Sequence, residues 1–291
     1  FFENNDGRIV LIYPLKGRVM VGTTDLEADM SVPAVCTEDE IDYFIELVSH
    51  VFPTIPVTRE QIVYSFSGVR PLPHHDDTAP GFVSRDYRIV PGTVPGLGST
   101  TVLSLVGGKW TTFRALSEHL ANEALAALGM TRTVQTLGLP IGGGAGFPTT
   151  QQAERDWTAR YGADVGAERA EVLLGRYGTK ATFVIDAIAG WDGDDAPLAA
   201  APSYSRAEID HLVRTEHVAH LSDVFLRRTS LAFTGSISVA LIHEIGEIVA
   251  NALGWSPNRR SEEEDAFQAE LATAHRVNLE SGDGSEAAAL R

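Results

Sequence analysis

Apolar positions along the chain follow two rhythms, and the change between them divides it. Up to about residue 133, short alternating runs are interleaved with helical stripes; beyond residue 150 the apolar positions keep helical spacing throughout. In the first stretch, Arg8–Tyr13 and Arg18–Thr23 are β-rich runs on either side of Pro14-Leu15-Lys16-Gly17, where glycine takes positive φ at low cost, and the pair predicts a hairpin. Thr37 with Glu40 three residues on has capping-box spacing. Ile41, Phe44, Ile45, Val48 and Val51-Phe52 then form one apolar helical stripe, which Pro53 and Pro56 end. Ile62–Val69 alternates as a strand, Arg85–Val90 reads as another, and Thr101–Val106 is apolar enough for a buried strand. Gly107-Gly108 breaks that strand, and Trp110–Leu128 follows as a helix with Leu116, Leu120, Ala124 and Leu128 on one side.

Residues 134–150 change character. Leu139-Pro140 and Gly142-Gly143-Gly144-Ala145-Gly146 predict a flexible connection. Val172-Leu173-Leu174, Phe183–Ile188, Ile209–Val213, Val218–Leu226 and Ile237–Leu253 then predict helices, with no convincing strand among them. Ser205 and Glu208 set a second capping box, and Gly254 and Pro257 stop the long helix. Glu262-Glu263-Glu264-Asp265 places acids in the first turn of a last helix, and the small polar residues from Glu280 on are expected to be mobile. The fold class is α+β: a mixed-sheet portion over residues 1–133, a Gly/Pro linker over 134–150 and an all-helical domain over 151–291.

Composition narrows the function classes. Hydrophobic residues at 44% and charged residues at 21% describe a folded globular protein. The 23 Lys+Arg against 39 Asp+Glu leave a formal charge of −16. That argues against a nucleic-acid partner, whose binding rests on cations meeting phosphates, and gives no general attraction to anionic lipid. One cysteine, Cys36, leaves no internal disulfide framework and fits a reducing, cytoplasmic compartment. The uncharged run between Arg228 and His243 is shorter than the roughly 20 residues a bilayer span needs. The chain opens without Met or a secretory signal and enters a strand pattern at once, so the expectation is a piece of a longer protein.

Leu103-Ser104-Leu105-Val106-Gly107-Gly108-Lys109-Trp110-Thr111-Thr112 is the most informative segment. A strand runs into two glycines and then a helix whose first amides are unpaired and carry the positive end of the dipole. Lys109, Thr111 and Thr112 add a cation and two hydroxyls, a set suited to an anion or an electron-rich ring edge; a plain strand-to-helix turn with a solvated lysine would look the same. Arg70, between Gly68 and Pro71, is a guanidinium on stiffened backbone that can grip a carboxylate or phosphate, or simply sit in a structural ion pair. Arg85 is a second anion ligand or the partner of Asp86. His74-His75-Asp76-Asp77 lacks a spaced partner for a metal and reads as a solvated loop. His243-Glu244 with Glu247 lacks the second histidine of a zinc-protease helix and reads as a helix face. His211, His217 and His220 read as core or surface histidines, Arg227-Arg228 with Asp223 as an ion-pair network, and Gly142-Gly143-Gly144, without Lys-Ser/Thr, as linker. No metal is expected.

Four segments in this order resemble one family: Val21-Gly22-Thr23-Thr24-Asp25, Ser67-Gly68-Val69-Arg70-Pro71-Leu72, Ser84-Arg85-Asp86-Tyr87 and Gly107-Gly108-Lys109-Trp110-Thr111-Thr112. Together they are similar to the aerobic, quinone-linked, FAD-dependent glycerol-3-phosphate dehydrogenases. Arg214-Thr215-Glu216, Leu226-Arg227-Arg228-Thr229 and Leu253-Gly254-Trp255 look like that family's C-terminal domain, so the likeness covers most of the chain. The resemblance implies the substrate-binding α+β part of a flavoprotein, with oxidation of glycerol 3-phosphate to dihydroxyacetone phosphate, hydride passing to FAD and electrons to quinone. It implies Arg70, Arg85 and Lys109 as substrate ligands, and Gly107, Gly108, Lys109, Thr111 and Thr112 against the cofactor. It also implies a peripheral position on the inner face of the cell membrane and leaves room for a homodimer. The family's Gly-x-Gly-x-x-Gly turn for the ADP part of FAD is not among these residues, and its active-site histidine falls outside them too, so no base is assigned. The expectation is the C-terminal portion of such an enzyme, inactive by itself. A glycerol-3-phosphate oxidase, with oxygen as acceptor, and a non-catalytic anion-binding module are the alternatives.

Overall fold

The computed structural model describes residues 2–4, 7–69, 86–96, 98, 100–192 and 195–279. Arg70, Arg85, the His74–Asp77 loop and the segment from Glu280 on lie outside them. The elements are β1 (Phe2–Glu3), β2 (Ile9–Leu15), β3 (Arg18–Gly22), α1 (Glu38–Val51), β4 (Arg88–Thr93), β5 (Thr101–Val106), α2 (Phe113–Ala127), α3 (Gln151–Val165), α4 (Ala167–Tyr177) and α5 (Ala181–Ala189). They continue with β6 (Pro197–Leu198), β7 (Ala201–Ser205), α6 (Arg206–Thr215), α7 (Leu221–Asp223), α8 (Val239–Leu253) and α9 (Pro257–His275). Contacts gather them into two units, one of Phe1–Thr24, Met30–Gly68 and Gly142–Arg291, the other of Asp25–Asp29 and Val69–Ile141. The N-terminal hairpin and α1 thus group with the helices rather than with the strands that follow them in sequence. No helix among the described residues is long and apolar enough to cross a membrane.

In the first unit, β2 and β3 pair antiparallel from Leu11↔Gly22 to Leu15↔Arg18. Pro14 and Leu15 therefore belong to the strand, and the expected four-residue turn is only Lys16-Gly17. Both of its residues have positive φ, 48° and 79°, as the tight hairpin turn that matches strand twist requires. The capping box of α1 is present: Thr37 Oγ1 accepts from the Glu40 amide at 3.3 Å, and Glu40 accepts from the Thr37 amide at 2.9 Å. Ile62–Val69, expected as a strand, pairs with no strand among the described residues. Its alternation serves another contact. The Ser65 amide donates to the His275 carbonyl at 3.0 Å, Tyr64 stacks on the His275 ring at 4.7 Å and Val63 packs where Gly235 leaves no room for a Cβ.

The larger core lies among α6, α8 and α9, where Ile209, Leu241, Ile242 and Ile245 are fully buried and Phe225 stacks on Phe267 at 4.7 Å. A smaller cluster of Leu173, Ala181, Val184 and Ile185 joins α4 to α5, with Trp157 and Tyr161 of α3 against it. Three expectations are corrected here. The helical half contains a strand pair, β6–β7. Val218–Leu226 is not one helix: α7 is three residues long and runs into a π-helical turn, Val224–Arg228. And Pro257 begins α9 instead of closing what precedes it. Ser256 caps that helix and proline fits its first position, where its missing N–H is not needed. Glu263 and Glu264 thereby fall inside the helix and are buried.

The Gly142–Gly146 stretch is docked. Thr179 donates its amide to the Gly143 carbonyl at 2.9 Å, and its hydroxyl reaches the Gly143 and Ala145 carbonyls at 2.9 and 2.8 Å. A Cβ on Gly143 (φ 71°) would collide with the Tyr177 carbonyl, and one on Gly178 (φ 60°) would lie 2.5 Å from the Gly143 carbonyl oxygen. These glycines permit a backbone-to-backbone contact.

In the second unit, β4 and β5 pair antiparallel from Arg88↔Val106 to Thr93↔Thr101. The strand expected over Arg85–Val90 runs instead over Arg88–Thr93, and β5, expected to be buried, is half-buried at best, with Leu105 exposed. After β5 comes one 3-10 turn, Trp110–Thr112, and then α2. The α2 residue Glu118 anchors the chain that follows, accepting from the Thr136 amide at 2.8 Å, from the Thr136 hydroxyl at 2.9 Å and from Arg132 at 3.0 Å.

Candidate functional site

The β4–β5 register carries Asp86 and Tyr87 alongside Gly107 and Gly108. A Cβ on Gly107 (φ 79°) would sit 2.8 Å from the Asp86 carbonyl oxygen; one on Gly108 (φ 106°) would sit 2.8 Å from Leu116 Cδ1 and 3.5 Å from Tyr87 Cβ. Both glycines are thus demanded by positive φ and by the chain's own packing. The side their missing Cβ atoms leave open is filled by the protein and not available to a ligand. Lys109 returns to extended backbone (φ −122°, ψ 146°) and is exposed.

Beyond it the turn is wound on its own carbonyl: the amide and hydroxyl of Thr112 both donate to the Lys109 carbonyl at 3.0 Å. Thr112 therefore spends its hydroxyl proton locally, while Lys109 and Thr111 face solvent and, among the described residues, no carboxylate pairs with the Lys109 ammonium. Trp110 is 87% exposed and stacks on Phe113 at 5.6 Å. The product is an outward ridge of one ammonium and the Thr111 hydroxyl at the positive end of a helix. Its chemistry is recognition of negative charge or of an electron-rich edge.

Of the four motifs, the described residues unite two in one unit, Asp86-Tyr87 and Gly107–Thr112. In the other unit Thr24 of the first motif donates to Glu40 Oε1 at 2.5 Å, tying that motif to the cap of α1. Burial pushes the Glu40 carboxyl up, and the hydrogen bonds from Thr24 and Thr37 outweigh it to hold the group below its ordinary value. Arg70 and Arg85 lie outside the described residues.

The remaining candidates resolve into helix-to-helix ties. His243 Nδ1 lies 2.5 Å from Glu264 Oε2, Glu244 accepts from the Ala199 amide at 3.1 Å, and Glu247 pairs with Arg206 at 3.4 Å. His220 Nδ1 is 2.9 Å from Glu263, and Arg227 pairs with Asp223 at 3.0 Å. Burial raises the Glu263 carboxyl, but donation from the Leu221 amide and from His220 brings it below the usual range. Among the described residues no group of three His, Cys, Asp or Glu side chains gathers as a metal site would.

Sequence reasoning missed two clusters. Glu208, fully buried, does not close the expected reciprocal box with Ser205. It accepts instead from Arg169 at 2.5 Å, from Tyr177 Oη at 2.6 Å and from Arg176, whose guanidinium lies 3.6 Å over the Tyr204 ring. Burial, and then the Glu208 charge, push the Tyr177 phenol well above its ordinary value. The second is Tyr87 Oη, 3.2 Å from His119 Nδ1, with His119 Nε2 3.6 Å from Glu123. Only the one-turn spacing of His119 and Glu123 is visible in sequence.

The chain is similar to known proteins. Residues 1–114 match the model of the FAD dependent oxidoreductase family, and residues 134–260 match that of the C-terminal domain of alpha-glycerophosphate oxidase. A glycerol-3-phosphate dehydrogenase of Synechocystis is 27% identical over 254 residues, covering 86% of this chain and 45% of the relative. The aerobic glycerol-3-phosphate dehydrogenase of Bacillus subtilis is 29% identical, covering 80% and 42%. A mitochondrial glycerol-3-phosphate dehydrogenase of Arabidopsis thaliana is 30% identical, covering 90% and 42%. The chain therefore spans less than half the length of these relatives. A solved structure of the glycerol-3-phosphate dehydrogenase from Bacillus halodurans complexed with FAD superposes with a TM-score of 0.71 at 23% identity, over 96% of this chain and 53% of that one, and shares its fold.

Proposed function

From the matches of residues 1–114 to the FAD dependent oxidoreductase family and of residues 134–260 to the C-terminal domain of alpha-glycerophosphate oxidase, we propose that the chain is the substrate-side portion of an enzyme oxidising glycerol 3-phosphate to dihydroxyacetone phosphate. The observation that supports the reading is the seating of Asp86-Tyr87 against Gly107-Gly108, next to Lys109. FAD, when bound, supplies the hydride acceptor. Gly107, Gly108, Lys109 and Thr111 present amides, an ammonium and a hydroxyl donor to its electron-rich edge, Thr112 braces that turn from within, and a helix start there favours negative charge.

Arg70, Arg85 and Lys109 supply three cations for a dianionic phosphate, with guanidiniums giving the bidentate grip and lysine a point charge. Arg70 also orients the carbinol oxygen as it becomes a carbonyl. The ADP end of the cofactor is read as held by a part of the enzyme outside this chain, in keeping with matches that cover 45% and 42% of two relatives. Quinone as acceptor, with a peripheral place on the inner membrane face, belongs to the same proposal.

The test is dye reduction dependent on glycerol 3-phosphate by the enzyme expressed with its upstream coding sequence, together with the flavin spectrum of the purified protein. A yellow, substrate-reducible protein supports the reading, and a colourless, inactive one sinks it. Hydrogen peroxide release during turnover would replace quinone by oxygen.

A further inference from the structure

Tyr87 is placed where three parts of the second unit meet. Its backbone lies beside Gly107, its Cβ lies 3.5 Å from where a Gly108 Cβ would stand, and its hydroxyl reaches His119 Nδ1 at 3.2 Å, nearly two turns into α2. The rings meet edge to face, 5.8 Å apart at 71°. Glu123, 3.6 Å from Nε2, favours the proton on that nitrogen, which leaves Nδ1 to accept from the tyrosine. Leu116, buried under Gly108, fixes the same helix from the inside. Between the glycines and α2 stands Lys109, exposed, on a turn whose internal ties are the Thr112 amide and hydroxyl on the Lys109 carbonyl.

We propose that Tyr87 and His119 are positioning residues: their hydrogen bond clamps α2 to the Gly107-Gly108 turn and so holds Lys109 and the first amides of the helix in place. The inference rests on the flavin and phosphate reading of that turn. The tie is polar and half-exposed, so it sets alignment more than stability. A lysine free to swing still binds phosphate, but less often in the geometry that reacts, so the defect belongs in kcat more than in KM.

Three variants separate this from a merely structural contact. Tyr87→Phe keeps the ring on Gly108 and removes the hydroxyl, His119→Leu removes the acceptor, and His119→Gln restores one. In the full-length, flavin-loaded enzyme, Tyr87→Phe and His119→Leu are expected to lower kcat about tenfold with KM within about twofold. His119→Gln should recover most of the loss, and the double variant should be no worse than either single one, as members of one coupled pair behave. Independently of flavin and substrate, hydrogen exchange at the amides of residues 109–113 should quicken several-fold in Tyr87→Phe and His119→Leu but not in His119→Gln. Unchanged exchange in Tyr87→Phe, or additive kinetic losses, would overturn the clamp. An enzyme without glycerol-3-phosphate activity that still shows the exchange pattern would instead remove the substrate reading and leave the clamp standing.

Discussion

Glu208 lies where water does not reach, and two guanidiniums and a phenol surround its carboxyl group. Removing one partner of a buried ion pair leaves the others uncompensated, so Glu208→Ala should destabilise the protein by ~3–5 kcal/mol in chemical denaturation. Tyr177→Phe, which deletes one hydrogen bond and keeps the ring, should cost about 1 kcal/mol by the same measurement. A second residue sets a pH dependence. The Thr136 amide and hydroxyl, then Arg114 and Arg132, draw the Glu118 carboxyl from its ordinary 4.5 down to about 2. A lowered acid contributes in full above its ordinary value and fades as pH falls through the lowered one. Hydrogen exchange at the Thr136 amide should thus stay slow from neutrality to pH 4.5 and quicken towards pH 2, and Glu118→Gln should show the fast exchange already at pH 7.

At the scale of elements, the Gly143–Gly178 contact gives the sharpest expectation. Gly143→Ala forces a side chain into the Tyr177 carbonyl at φ 71°, and the midpoint of denaturation should fall by an amount worth roughly 2 kcal/mol or more, with an unchanged m-value. This is where composition misled. Five residues rich in glycine read as a slack tether, yet their freedom is spent on close approach to a partner over thirty residues away. What the sequence made legible was local. The capping box at Thr37, the β2–β3 hairpin and the αL end of α8 at Gly254 are each decided within a few residues. The start of α9 was misplaced because a proline after glycine reads equally as an ending or a first helical turn, and buried Glu263 and Glu264 resemble a solvated acidic start until His220 and His243 arrive from elsewhere. Ile62–Val69 shows the same limit, since alternation reports two unlike faces and not what covers them.

For the molecule as a whole, the resemblance is legible because four motifs follow one another in order, while the roles of their residues depend on parts that motifs alone do not place. On the proposed function, Arg70→Ala in the full-length enzyme should lower kcat/KM for glycerol 3-phosphate by the equivalent of ~2–4 kcal/mol, the cost of losing a charge-assisted contact, and a loss under about threefold would make Arg70 structural. Lys109→Met should raise KM for the phosphorylated substrate and leave thermal stability unchanged, since the side chain is exposed. The docked glycines also bear on how this protein can be handled. A reporter or purification tag spliced between Gly142 and Gly146, the spot an engineer would choose on composition, would prise Thr179 from two carbonyls at once. The exposed stretch at residues 138–141, just upstream, is the safer place for such an insertion.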